Sequence, residues 1–253
     1  MANEEEYLTL CALIHGEEGS GKSWLGQSTP EPRLVLDAEG GSRVPWRAGK
    51  GGKGTGIRQK QIEWDVRDEP PAEGEWQTCH VGVRDYDDVQ LAYNWLVTGN
   101  HPFVSVVLDS VTEIQQRCKD TMTSGENALR IQDWDLMLIR VGSLLRQFRD
   151  LVWHPTNPLD AVVFLALSVH KNGKWRPAVQ GSLGTALPGY VDLEGYLTVT
   201  ENDKGRAVRQ LLIQPVENFA AAKDRTHVLS QHYGPVINNP DFEEMLRIYN
   251  EEG

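Results

Sequence analysis

The sequence predicts an α/β chain: a mostly parallel central sheet flanked by helices, with an antiparallel C-terminal hairpin. Three observations carry this. Short apolar runs without polar alternation recur (YLTLCALIH, RLVLD, FVSVVLD, AVVFLALSV), as in strands buried on both faces. Segments of helical period stand between them. Near the end, LEGYLTVT (193–200) and AVRQLLIQP (207–215) flank the turn-forming ENDKG, which reads as a hairpin.

The elements follow in order. The first strand spans 7–15 and runs into Gly16 and a glycine-rich turn. A short helix from about Lys22 to Ser28 is stopped by Pro30 and Pro32. RLVLD (33–37) is the second strand. Residues 40–60 hold seven glycines and read as a mobile loop. A helix over 85–98 is capped near Asp85 or Asp87. FVSVVLD (103–109) is a buried strand, followed by a helix from about Val111 to Met122. Ile131, Trp134, Leu138, Val141, Leu145, Phe148 and Val152 step by three and four and mark one apolar stripe of a long helix. AVVFLALSV (161–169) is the next strand, a loop covers about 170–190, and a last helix runs from about Pro240 to Tyr249. No linker or internal repeat divides the 253 residues, so one domain over 1–253 is expected.

Composition narrows the function classes. With 40% hydrophobic and 24% charged residues the chain is of ordinary globular type, and no apolar run is long enough for a membrane span. The acidic N-terminus lacks a secretion signal, and three widely spaced cysteines (Cys11, Cys79, Cys118) form neither a disulfide framework nor a zinc site, which fits a cytoplasmic protein. Net charge is −11, which excludes a globally basic nucleic-acid coat. Basic residues are nevertheless concentrated: six lie between Arg43 and Lys60 with no acid among them, and three between Lys171 and Val191 with none.

GEEGSGKS (16–23) has the spacing G-x-x-x-x-G-K-[ST]. Gly16, Glu17, Glu18, Gly19, Ser20 and Gly21 offer backbone N–H groups to phosphate oxygens, Lys22 can reach the β- and γ-phosphates, and the Ser23 hydroxyl can bind Mg²⁺. The bland reading is a glycine-rich surface turn. Such a loop needs a carboxylate at the end of a buried strand as second magnesium anchor, and Asp109 fits, although it could also cap the helix that follows. Asp109 is followed by Ser110 and not by glutamate, so a water-activating base must come from elsewhere; Glu39, just past the second strand, is the candidate, with a solvated loop acid as the alternative.

Together GEEGSGKS, LVLDAEGG, VVLDSVTEI and VVFLALSVHK resemble the RecA-like P-loop NTPase core, over roughly residues 7–215. The layout, with the late K-D-R of AAAKDRTHVL (220–229), is most similar to phage-encoded Sak-type single-strand annealing and recombination ATPases. The resemblance implies ATP and Mg²⁺ as cofactors, Glu39 as catalytic base, Asp109 as metal ligand, an aromatic near Trp46 stacking on adenine, and Lys223 and Arg225 reaching a neighbouring subunit's γ-phosphate. It also implies single-stranded DNA as partner, a homo-oligomer (filament or ring), and a single-strand-binding protein as further partner, in a bacterial host's cytoplasm. The chain departs from the family at the polar sensor after the fourth core strand: glutamine is usual, and here only Ser168 or His170 could serve.

The loop after that strand would enter the DNA channel. Lys171, Lys174 and Arg176 could neutralise phosphates, and Trp175 could stack on an unpaired base or pack on the body. The 43–60 segment is a second candidate DNA contact or a solvated loop. The leading expectation is an ATPase that assembles on single-stranded DNA. The alternatives are a nucleotide-gated loader with weak hydrolysis and a P-loop phosphotransferase, the latter disfavoured because no arginine-rich lid is evident.

Overall fold

The computed structural model describes residues 8–41, 60–123, 130–217 and 219–253. The first apolar run forms β1 (Leu10–Gly16) and leads through the glycine loop into α1 (Lys22–Gly26). Then come β2 (Arg33–Asp37), β3 (Gln61–Glu63), β4 (Thr78–Gly82), α2 (Tyr86–Leu96), β5 (Ser105–Asp109), α3 (Val111–Thr123) and α4 (Ile131–Asp150). The chain continues through β6 (Ala161–Lys171), β7 (Lys174–Pro177), α5 (Leu183–Tyr190), β8 (Leu193–Glu201), β9 (Ala207–Leu212), β10 (Lys223–Asp224), α6 (Val228–Tyr233), β11 (Val236–Asn238) and α7 (Phe242–Glu252).

Among the described residues the strands form one sheet in the order β11-β9-β8-β1-β6-β5-β2-β4-β3, with β10 paired to β8 and β7 to β6. From β8 through β1 to β3 all neighbours are parallel; β9, β10, β11 and β7 pair antiparallel. The expected fold class is therefore the observed one. The apolar strands show no alternation because both faces are covered. On β1, Cys11 and Leu13 enter the core under α2, α3 and α4, while Leu10, Ala12 and Ile14 enter the core under α1, α6 and α7. The helical stripe lies as expected: Val141, Leu145 and Phe148 of α4 are buried in the first of these cores. Asp85 caps α2, its carboxylate accepting the Asp88 N–H at 3.0 Å.

Several boundaries differ from the sequence reading. The segment expected as a loop over 170–190 is structured. β6 runs on to Lys171, turns at Asn172 and Gly173, both at positive φ, and returns as β7; α5 then follows, with Pro188 inside it. Its glycines and prolines signal a turn and a helix end rather than an open loop. The short strands β3, β4, β10 and β11 lack any apolar run long enough to read. The basic run 43–60 lies outside the described residues except for Lys60, which is ion-paired with Glu75.

Candidate functional site

The phosphate loop joins the carboxyl end of β1 to α1. β1 and β8 are parallel with Gly16 level with Leu197. A side chain on Gly16 would strike the Leu197 carbonyl and Ser20, so the loop can leave the sheet there only with glycine. Gly21, at φ 99°, precedes the first turn of α1, where the Leu25 N–H donates to the Gly21 carbonyl at 3.0 Å. The Lys22 ammonium donates to the carbonyls of Gly16 (3.0 Å) and Glu17 (2.9 Å), which holds it over its own loop. Burial pulls its pKa down, and the carboxylates of Glu39, Asp109 and Glu18 act against that.

Two strand ends bring the acids to this loop. Asp37 of β2 and Asp109 of β5 are level in adjacent strands. The Ser23 hydroxyl donates to Asp109 Oδ2 at 2.7 Å, across 86 residues of sequence. Asp109 is 2% exposed, and burial pushes its carboxyl up to about 6; nearby Glu39 and Asp37 add to this, while the Ser23 hydrogen bond and Lys22 oppose it. Glu39 stands in the turn after β2. The Ala38 N–H (2.7 Å) and Glu39 N–H (3.3 Å) both donate to the Asp109 carbonyl, and the Ser110 hydroxyl donates to Glu39 Oε1. The base candidate is thus tied to the metal-ligand candidate through backbone and side chain. Arg117 of α3 braces the same turn, donating to the Ala38 carbonyl at 2.9 Å.

The donor set suits Mg²⁺. It is hard oxygen, one carboxylate and one hydroxyl already turned toward each other, and a buried carboxyl whose charge lacks a full counter-charge. Among the described residues no group of three or more His, Cys, Asp or Glu could hold a metal without help, so phosphates and water would complete the shell.

The AAA domain family matches residues 9–226, which include every element of this site. The chain belongs to the AAA domain family. No curated protein matches its sequence. Similar solved structures include an ATPase from the type III secretion system of pathogenic bacteria, at 15% identity and TM-score 0.42, covering 76% of this chain and 52% of that one. The flagellar accessory protein FlaH from Methanocaldococcus jannaschii is similar at 8% identity and TM-score 0.44, covering 85% and 82%. The KaiC-like protein PH0186 from Pyrococcus horikoshii OT3 is similar at 12% identity and TM-score 0.44, covering 91% and 90%. The chain spans about half the length of the type III secretion ATPase. Among the described residues no helix is long and apolar enough to cross a membrane.

The other predicted residues of this AAA domain lie as follows. Trp46 falls outside the described residues. Ser168, near the end of β6, has its hydroxyl 2.8 Å from His15 Nδ1, and His15 Nε2 lies 2.8 Å from the Ala221 carbonyl. A carbonyl only accepts, so Nε2 carries the proton and the Ser168 hydroxyl donates to Nδ1. Burial lowers the His15 pKa to about 4, so the ring stays neutral near pH 7. His170 is exposed and meets Trp175 edge-on. Of the two sensor candidates, only Ser168 is bonded toward the loop-bearing strand β1.

Trp175 is half-buried. Its ring stacks on Tyr196 with centroids 5.9 Å apart and planes 18° apart, and its backbone bridges to the 219–221 segment. Of the two roles the sequence leaves open for Trp175, the geometry favours packing. Lys171 and Arg176 are exposed and Lys174 is half-buried near Glu194. Lys223 donates to the carbonyls of Pro188 (2.5 Å) and Val191 (2.6 Å), and Arg225 to Asp192 (3.1 Å) and the Gly189 carbonyl (2.8 Å); both close the C-terminal end of α5. Lys223 of β10 pairs with Glu194 of β8, the strand next to β1, and Glu194 is level with Leu13, three residues before Gly16; at that level the pair stands back from the phosphate loop of its own chain.

Sequence reasoning missed Arg117 and His15. His15 carried a signal, since it is the one histidine inside the first apolar run. Arg117 carried none, because its partner turn lies 79 residues away.

Proposed function

We propose that this ATPase domain belongs to the Sak type of phage recombination proteins: it binds ATP with Mg²⁺, assembles as a homo-oligomer on single-stranded DNA, and resets by Glu39-assisted hydrolysis. The observation that carries the reading is the pair of side-chain contacts at one sheet edge, Ser23 to Asp109 and Ser110 to Glu39. They set an anchor for the metal and an exposed carboxylate side by side at the phosphate loop. Bound Mg²⁺ supplies charge neutralisation at the phosphate oxygens. Lys22 turns from the Gly16 and Glu17 carbonyls to the phosphates, and the Glu39 carboxylate orients the attacking water and takes its proton. Ser110 fixes the direction of that carboxylate, and Arg117 holds its turn.

The DNA contact in this reading is the β6–β7 hairpin. Lys171, Lys174 and Arg176 meet phosphates, and Trp175 fastens the hairpin to Tyr196. His15 and Ser168 connect the same hairpin to β1, which gives hydrolysis a physical route to the DNA contact. Arg225, about half exposed, is the cation assigned in this reading to a neighbouring subunit's nucleotide, which requires it to leave Asp192. The test is assembly of the Glu39→Gln protein on a labelled single-stranded oligonucleotide, followed by light scattering with ATP and with ADP. Large complexes formed with ATP and not with ADP are expected. A protein that binds nucleotide yet never binds the oligonucleotide in either state overturns the DNA part and leaves the ATPase part standing.

A further inference from the structure

The β8–β9 hairpin overhangs the end of β1. Gly16 is level with Leu197, and β8 continues to Glu201. Arg209 of β9 pairs with Val199, two residues past that level, or about 7 Å beyond the end of β1 at strand rise. Its neighbour on the same face, Leu211, is buried in the core that also contains Leu25 of α1, so Arg209 points toward the α1 side of the sheet. There it lies on the phosphate loop. A methyl group on Gly21 would run into the Arg209 side chain, with Cδ 3.0 Å and Cζ 3.3 Å away. The backbone is pinned from both sides by Asn239: the Arg209 N–H donates to Asn239 Oδ1 at 3.3 Å, and the Asn239 N–H donates to the Arg209 carbonyl at 2.6 Å.

The guanidinium makes no hydrogen bond or ion pair with another described residue, although the chain carries a net charge of −11 and two loop glutamates, Glu17 and Glu18, are close in sequence to Gly21. A cation laid along a phosphate-binding loop, with its backbone clamped and its charge unspent, lacks an anionic partner. The strand order says which part of a nucleotide it meets. Asp109 and Glu39 stand on β5 and just past β2, on one side of β1; Arg209 stands on β9, on the other side. A nucleotide whose γ-phosphate lies at Asp109 and Glu39 extends its other end toward Arg209.

We propose that Arg209 is a nucleotide-contacting residue of its own subunit, binding the α- and β-phosphate end of a nucleoside di- or triphosphate. The inference rests on the ATP-binding reading above. It predicts a cation that does not distinguish ATP from ADP, unlike Glu39, which acts at the γ end.

The test is titration of the full chain with fluorescent ADP and with a fluorescent, non-hydrolysed ATP analogue, in wild type, Arg209→Met, Arg209→Ala and Arg209→Lys. Met keeps the apolar stem that packs on Gly21 and removes only the charge. Arg209→Met and Arg209→Ala are expected to weaken both ligands by about 10- to 100-fold, with the ADP-to-ATP affinity ratio unchanged and Arg209→Lys in between. Wild-type affinity in Arg209→Met overturns the inference and reduces Arg209 to packing on Gly21. A loss confined to the triphosphate analogue overturns the assignment to the α/β end. If wild type binds neither ligand, the ATP-binding reading itself fails and this inference with it; if wild type binds both and Arg209→Met binds equally, only the inference fails.

Discussion

The carboxyl edge of β1, β5 and β2 and the β6–β7 hairpin are held by different forces. At the edge, the decisive contacts are short polar ones between strand ends: Ser23 to Asp109, Ser110 to Glu39, the Ala38 and Glu39 N–H groups to the Asp109 carbonyl, and Arg117 to the Ala38 carbonyl. Four functional groups are fixed there without a large apolar contact of their own. At the hairpin the relation is reversed. Trp175 stacks on Tyr196, Tyr196 meets His15 and Phe219, and the basic side chains stand outside this aromatic support. The first region is arranged for a reaction whose geometry must be held within tenths of an ångström. The second presents charge on a platform, which suits a polyanion read by its backbone rather than by its bases. Among the described residues, His15 links the two, through Ser168 on β6 and the Ala221 carbonyl behind the hairpin.

Breaking the edge should give the largest effects. Glu39→Gln keeps the shape and the Ser110 hydrogen bond but removes the proposed base; turnover is expected to fall by about 10²–10⁴-fold with nucleotide affinity retained, measured by phosphate release beside equilibrium binding. Unchanged turnover would move the base elsewhere. Asp109→Asn is expected to lower turnover by about 10²–10³-fold and, in the opposite direction, to raise the melting temperature of the nucleotide-free protein, because it removes a buried carboxylate whose proton is held up to about pH 6. A lower melting temperature for that variant contradicts the cost assigned to the buried charge.

The hairpin should respond more gradually. Lys171→Ala combined with Arg176→Ala removes two cations that form no ion pair with another described residue. Single-strand affinity should weaken at every sequence alike, and the slope of log affinity against log salt should flatten by about 1.4, or 0.7 per lost phosphate contact. Loss of affinity with an unchanged slope would mean these residues act through packing.

The smallest effect sharpens the border between the two regions. Glu194 lies buried beneath the hairpin, and burial pushes its carboxyl up to about 7, against Lys223, Lys174 and Arg176. Between its ordinary value of 4.5 and about 7 the folded chain keeps a proton that the unfolded chain has lost. Stability from this group is therefore present at low pH and declines as pH rises through that window. Glu194→Gln has no such decline. Its melting temperature relative to wild type should increase from pH 5 to pH 8 by roughly 2–4 °C, read by thermal melts at both pH values.

These contrasts explain what was legible in the sequence. The edge is written in contiguous motifs: GEEGSGKS, DAEGG and LDS each end an apolar run, and parallel strands necessarily bring their carboxyl ends to one side. Gly16 to Ser23, Glu39 and Asp109 can thus be grouped from the sequence alone. The hairpin cannot be read in the same way. KNGKWRP has the composition of an open loop, and what makes it a strand is an aromatic stack onto Tyr196, 21 residues on, and a bridge to Ala220, 45 residues on. The roles of Lys223 and Arg225 at the end of α5, Arg117 behind the Glu39 turn and Arg209 on Gly21 are likewise set by partners distant in sequence. Buried parallel strands declare themselves locally; cations that serve a distant backbone do not.

The central claim is that the edge and the hairpin work as one machine. It is tested most directly by ATP hydrolysis at fixed protein concentration with and without single-stranded DNA, using Lys22→Ala as the blank. The account predicts hydrolysis that rises with single-stranded DNA, loses that rise in the Lys171→Ala, Arg176→Ala protein, and is absent from the Lys22 variant. Hydrolysis that depends on Lys22 and is indifferent to DNA would contradict the coupling.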